Sequence, residues 1–232
     1  MDKWLYVFIN LGAISIPFIA GFDNRLRFHK QWRYLFPAMA LTMLVFIPWD
    51  MLKTDLAVWG FNPRYLSGLY IGNLPIEEWI FFIAIPYACL FTYHSLNYLV
   101  KADFIGRYAG RITLVLGLLL LVTGILNAGK LYTSITFIST GSFLLLHYFV
   151  IRAGYMGRFY LMYLVTLLPF FIVNGILTGS FIPGEVVFYD DSQNLGIRLG
   201  TIPVEDMVYG LLLLLMNVTW FEFFRKKRAN GI

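Results

Sequence analysis

Leu74-Pro75-Ile76-Glu77-Glu78 opens an apolar stretch that runs to residue 99, and the same pattern recurs as Ile202-Pro203-Val204-Glu205-Asp206 at the head of another that runs to residue 224. Each copy is approached through a glycine, in Gly72-Asn73 and in Gly200-Thr201. Upstream, Trp49-Asp50 aligns with Val173-Asn174 and Thr54 with Thr178. A repeat of this length implies two copies of one unit that fold alike and bury their apolar faces together.

The rest of the chain fits that frame. Of its 232 residues 59% are hydrophobic and 13% charged, against roughly 25% charged in an ordinary soluble domain. Apolar stretches lie near residues 4–22, 34–52, 75–99, 112–128, 133–151, 159–178 and 202–224, most of them close to the ~20 residues that span a bilayer core. Lipid offers the backbone no hydrogen-bond partners, so these stretches are predicted to be helices. The first begins near residue 1 with a single Lys3 and has no small-residue cleavage site before Asp23, so it is read as helix one rather than as a signal peptide.

Helices one to three then recur as helices five to seven, and helix four joins the copies. Helices one and five lie an even number of crossings apart, so both copies run the same way through the membrane, about a pseudo-two-fold axis along its normal. The expected fold is an all-α membrane protein of seven transmembrane helices: one domain over 1–232, with a three-helix repeat over 1–100, a linker with helix four over 101–132, and the second repeat over 133–232. Most of the 18 lysines and arginines cluster after helices one, three and five and in the tail, as in Arg25-x-Arg27, Arg107, Arg158 and Arg225-Lys226-Lys227-Arg228. The positive-inside rule makes that side cytoplasmic, placing the amino terminus outside, the carboxyl terminus in the cytoplasm and the acidic motifs at the outer face. The net charge of +5 is then a topology signal and an attraction to the lipid surface rather than to nucleic acid. Every lysine and arginine falls in a predicted loop or tail.

Ionisable groups at membrane depth are costly and point to function. Here they are Asp50, Glu77, Glu78, Glu205 and Asp206, with Asn174 the neutral counterpart of Asp50. A single Pro-x-Glu is ordinary helix-start chemistry; its duplication beside the Trp-Asp and Val-Asn pairs points to a paired acid-base site. Neighbouring helical positions lie ~100° apart, so Glu77 and Glu78 do not both face one substrate. Asp206 shares a stripe with Asn217 and Trp220 that turns it inward; spacing does not rank Glu77 against Glu78. Around the acids stand Trp49, Trp59, Tyr70, Trp79, Phe81, Phe82, Tyr189 and Tyr209. Most such rings are expected in an interfacial belt, and a minority in a pocket where ring faces favour a cation. Arg198 has Asp190, Asp191, Glu185 and Glu205 within loop reach. His94 and His147 fall at the opposite ends of their helices and read as packing residues.

No glycine-rich dinucleotide fingerprint or phosphate loop occurs, and Cys89 is the only cysteine, so no cofactor, disulfide or cysteine-built metal site is expected. Residues 202–224 contain no lysine for a retinal Schiff base. Clustered aspartates for a magnesium-diphosphate are also missing, which weighs against prenyl transfer. Carboxylates in a repeat alone would also suit a proton-coupled transporter.

Taken together, Trp49-Asp50, the segment Gly68 to Phe82, Asn174 with Leu177-Thr178, and Gly196-Ile197-Arg198 leading to Pro203-Val204-Glu205-Asp206-Met207-Val208-Tyr209 resemble the flavin-independent membrane lycopene cyclases of the two-subunit bacterial type. The match covers nearly the whole chain and looks like both subunits fused through helix four. The resemblance implies a bacterial cytoplasmic-membrane enzyme that converts lycopene to γ-carotene and then β-carotene without net oxidation or cofactor. A carboxylic acid protonates the terminal double bond, the neighbouring alkene attacks the cation, and a base removes a ring proton. The implied site takes its acid-base pair from Glu77 or Glu78 and Glu205 or Asp206, positioned by Asp50 and Asn174. Trp49, Trp79, Phe82, Tyr209, Thr54, Thr178 and Arg198 are the candidate substrate contacts. Hydration at the same double bond shares the protonation step and is the nearest alternative.

Overall fold

The computed structural model describes residues 2–229 and places one helix on each apolar stretch: α1 Leu5–Ala20, α2 Trp32–Asp55, α3 Ile76–Leu99, α4 Gly106–Leu126, α5 Leu131–Leu146, α6 Met156–Leu177 and α7 Val204–Ala229. Counted with the short helical turns that extend α1, α2 and α5, all seven are long and apolar enough to cross a membrane. The 24 residues of α3 rise about 36 Å, enough for a core of about 30 Å. Ile16, Leu44, Leu126 and Leu168 are largely exposed, a surface that suits lipid rather than water. The chain is an integral membrane protein.

The two copies interlock. α1 packs on α3 as α5 packs on α7, while α2 reaches across to α7 as α6 reaches across to α3; α3 and α7 meet at the centre. α4 has no counterpart and packs on α5 and α6. Its close approach depends on Gly141, where a side chain would meet the Gly117 carbonyl oxygen at 2.7 Å and the Leu121 amide nitrogen at 2.8 Å. Small residues at such a crossing bring helix backbones together where lipid supplies no hydrophobic drive.

Short strands complete the match at the end of the bundle that bears the acids. A two-residue turn joins β2 (Tyr70–Ile71) to β3 (Leu74–Pro75), and its equivalent joins β5 (Arg198–Leu199) to β6 (Ile202–Pro203). Gly72 (φ 66°) and Gly200 (φ 67°) take the left-handed turn position in the two hairpins, which a side chain would strain. Each hairpin feeds straight into its acidic helix start.

Between the copies, β1 (Trp59–Phe61) pairs antiparallel with β4 (Val187–Tyr189), Gly60 opposite Phe188. These strands are equivalent in the repeat. An antiparallel pair has a local two-fold at its centre, and here it passes through the Gly60–Phe188 pair. Gly60 has no side chain, and the ring of Phe188 lies over it.

One expectation is corrected, that every lysine and arginine falls in a loop or tail: Arg33, Arg107, Arg111 and Arg158 lie near the starts of α2, α4 and α6. Lys53 lies neither in a loop nor in a tail: α2 continues through Asp55, and the segment after it folds back through β1 over the helix end, leaving Lys53 1% exposed. Hydropathy falls at residue 53, but backbone hydrogen bonding does not, and the burial comes from tertiary contacts that hydropathy does not register.

Candidate active site

The Pro-x-acid-acid motif splits into two jobs at each helix start. Glu77 and Glu205, each 0% exposed, turn back toward the loop that precedes their helix. Ser67 donates its backbone N–H to Glu77 Oε1 at 2.7 Å, and Leu195 does the same to Glu205 Oε1 at 2.8 Å. Thr133 of α5 adds a hydroxyl to Glu205 Oε1 at 2.6 Å, and Asn10 of α1 donates to the backbone carbonyl of Glu77 at 2.9 Å. These glutamates fasten hairpin, helix start and neighbouring helix into one piece. Neither lines the cavity described below.

That fastening role predicts a separation of effects. In Glu205→Ala the Thr133 hydroxyl and the Leu195 N–H lose their acceptor, at a cost of about 1–3 kcal/mol for each group left unpaired. In Glu205→Gln the amide oxygen still accepts both bonds, so thermal unfolding in detergent should stay near the unsubstituted protein, with cyclisation retained. Loss of turnover in a fully folded Glu205→Gln would instead place Glu205 in the chemistry.

One residue further on, the helix rotates Glu78 and Asp206 to the inside. Tyr6, at the start of α1, donates to Glu78 Oε2 at 2.6 Å, and its counterpart Tyr132, at the start of α5, donates to Asp206 Oδ1 at 2.6 Å. Asp206 Oδ2 also accepts from the hydroxyl of Tyr189 at 2.8 Å and from the side-chain amide of Asn174 at 3.4 Å. Burial first, then the adjacent Asp206 carboxylate, hold the Tyr189 phenol proton well above its ordinary range, so this hydroxyl stays a donor. Asp50, 1% exposed, accepts from the Tyr209 hydroxyl at 2.9 Å on either oxygen.

Glu78 and Asp206 share the wall of one cavity of about 230 Å³ bounded by α1, α3, α6 and α7. Its lining is mostly apolar; Tyr6, Trp59, Tyr132, Tyr189 and Tyr209 supply rings near the acids, and Asn174 and Thr178 supply polar edges. Thr178 donates to or accepts from Thr201 Oγ1 at 2.7 Å, tying the end of α6 to the second hairpin. Thr54, its counterpart, donates to the Asp50 carbonyl at 2.9 Å and accepts from the Trp59 indole at 3.1 Å.

The remaining candidates stand behind or outside this wall. Trp49, Trp79 and Phe82 pack in an apolar cluster with Phe46 and Leu74, and none of them lines the cavity. Arg198 pairs with Asp191 at 2.7 Å, donates to the Thr201 carbonyl at 2.8 Å, and lies 5.9 Å from the ring centre of Tyr189. Hydrogen bonds from Asn194 first and Arg198 second hold the Asp191 carboxyl below its usual range. His94 and His147 serve packing, on the Leu26 carbonyl at 2.8 Å and Thr219 at 2.9 Å.

Sequence reasoning missed Tyr6, Tyr132 and Lys53. The two tyrosines carry the same hydrogen bond in the two copies, so extending the repeat to the starts of helices one and five would have found them. Lys53 has no such signal, since Leu177 stands at the matching position of α6. Its Nζ lies 4.1 Å from the ring centre of Trp49, 4.2 Å from Trp59, 4.6 Å from Tyr209 and 4.8 Å from Tyr132.

One paired-acid cavity with ring walls is thus assembled from two copies of one repeat. Searches of curated proteins and of solved structures gave no match. A family model described as lycopene cyclase matches residues 3–96 and 129–224, once for each copy, and passes over the segment that contains α4. The chain therefore belongs to the lycopene cyclase family, enzymes that close rings on lycopene.

Proposed function

We propose that Glu78 is the acid and Asp206 the base of a redox-neutral cyclisation that turns the ends of lycopene into β-ionone rings. The observation that carries this assignment is the unequal supply of hydrogen bonds to two carboxyls on one apolar cavity. Tyrosine hydroxyls occupy both oxygens of Asp206, an environment that suits a carboxylate. Among the described residues only Tyr6 donates to Glu78, at Oε2, which leaves Oε1 free to deliver a proton.

The step balances without an oxidant. Glu78 transfers its proton to carbon 2 of the terminal double bond, leaving a cation at carbon 1. The nearby carbon 5–carbon 6 double bond attacks it, closing the ring and moving the cation to carbon 5. Asp206 takes the proton from carbon 6, which forms the ring double bond, and return of that proton to Glu78 resets the site. Water would quench either cation, and the apolar wall keeps it out. Rings on the cavity wall that Lys53 does not occupy, those of Tyr6, Phe81 and Tyr189, favour the positive charge by about 0.5–2 kcal/mol each. Asp50 acts through Tyr209, and Asn174 through Asp206, as positioning residues.

The two three-helix repeats act in this reading as paired halves of a single membrane domain with α4 in the connector, and the second half begins with α5 at Leu131, which takes Tyr132 out of the 101–132 linker. The basic clusters orient the amino terminus and the acids outward and the carboxyl terminus to the cytoplasm of a bacterial inner membrane; lycopene arrives from the lipid. Expression in cells that accumulate lycopene tests the reaction. Products of unchanged mass with one and then two β rings are expected, whereas a gain of one water per end would mean hydration instead.

A further inference from the structure

The two halves repeat each other closely, yet among the described residues the cavity that holds both acids is not symmetric about the pseudo-axis. Where its wall is small, the matching residue of the other copy is large. Val173 corresponds to Trp49, Gly210 to Phe82 and Ala88 to Met216. Trp49, Phe82 and Met216 pack with Phe46 and Leu212 into one apolar cluster, and none of these five lines the cavity. Leu177, on the open side, corresponds to Lys53, whose buried ammonium has no hydrogen-bond partner among the described residues and is ringed by four aromatic faces. The protein's own cation fills this cage from the α2 side, against Trp49 and the rings of Trp59, Tyr132 and Tyr209, which also line the open cavity. Both acids, meanwhile, lie on the wall of the one open cavity, so a second chamber would have no acid-base pair of its own.

We infer that the enzyme has a single operating chamber, reached between α1 and α6, with the equivalent approach between α5 and α2 plugged by Trp49 and Lys53. A stiff polyene cannot place both ends in one such chamber. Each end is therefore cyclised in a separate visit, and the monocyclic polyene withdraws into the lipid between them. This inference rests on the reading of Glu78 and Asp206 as the reacting pair.

Val173→Trp places on the open side the ring that Trp49 supplies on the closed one. In lycopene-accumulating cells, with folding verified by thermal unfolding of the purified protein, it should abolish both rings together and leave lycopene as the only pigment. Formation of either cyclic product at more than a trace overturns the single chamber. Glu78→Gln and Asp206→Asn in the same host separate the two levels: if these remain active, the assignment of the reacting pair fails, and if they are dead while Val173→Trp still cyclises, only the single chamber fails. Should Val173→Trp not fold, the unsubstituted protein in lipid vesicles decides. Labelled lycopene is chased with excess unlabelled monocyclic carotenoid. Label trapped in the monocyclic product supports separate visits, and label passing directly to the bicyclic product overturns them.

Discussion

Glu78→Gln is expected to leave lycopene uncyclised, with turnover reduced by about 10²–10⁴-fold, the usual size of a lost general acid. Glutamine matches glutamate in shape, and its amide oxygen still accepts the Tyr6 hydroxyl that now lies 2.6 Å from Glu78 Oε2. Folding should therefore change little, and the thermal unfolding midpoint should stay within a few degrees of the unsubstituted enzyme. What disappears is the transferable proton, since an amide does not protonate an alkene. The informative comparison is Glu77→Gln, one position earlier and turned away from the cavity. Its amide oxygen still accepts the Ser67 N–H, so both the unfolding midpoint and turnover, measured as product per folded protein by chromatography, should stay near those of the unsubstituted enzyme. Equal catalytic losses at both positions would show that the ~100° rotation between them does not divide their roles.

Asp206→Asn is expected to lose activity by a similar factor of about 10²–10⁴ and, unlike Glu78→Gln, to lose stability as well. Two tyrosine hydroxyls point at the two carboxylate oxygens, Tyr132 at Oδ1 and Tyr189 at Oδ2. Asparagine offers one acceptor and one donor, so one tyrosine would face an N–H₂ group inside a buried site, at a cost of about 1–3 kcal/mol. The hydroxyl facing that group can rotate to accept an N–H, but its own O–H then loses the acceptor that Asp206 supplied. The variant should therefore unfold at a lower temperature than Glu78→Gln and produce neither ring. Adding Tyr189→Phe to Asp206→Asn should recover part of the stability and none of the cyclisation. Recovery of turnover in that double variant would remove Asp206 from the reaction.

Hydropathy and the Pro-x-acid-acid repeat determined the seven helices, the two like-oriented copies and the end of the bundle that bears the acids, because each of these follows from segment length and order along the chain. The acids themselves were legible as candidates. Which member of each pair faces the cavity was not, since that depends on the rotation of α3 and α7 set by their packing on α1, α6, α2 and α5. Likewise, Tyr6 and Tyr132 gain meaning only when the starts of α1 and α5 meet Glu78 and Asp206 across more than seventy residues of chain. Tertiary structure alone decided that Lys53 is buried in an aromatic cage and that the cavity holding both acids is not symmetric about the pseudo-axis. Both depend on the summed volumes of side chains brought together from different helices, a quantity that no single segment of the sequence contains.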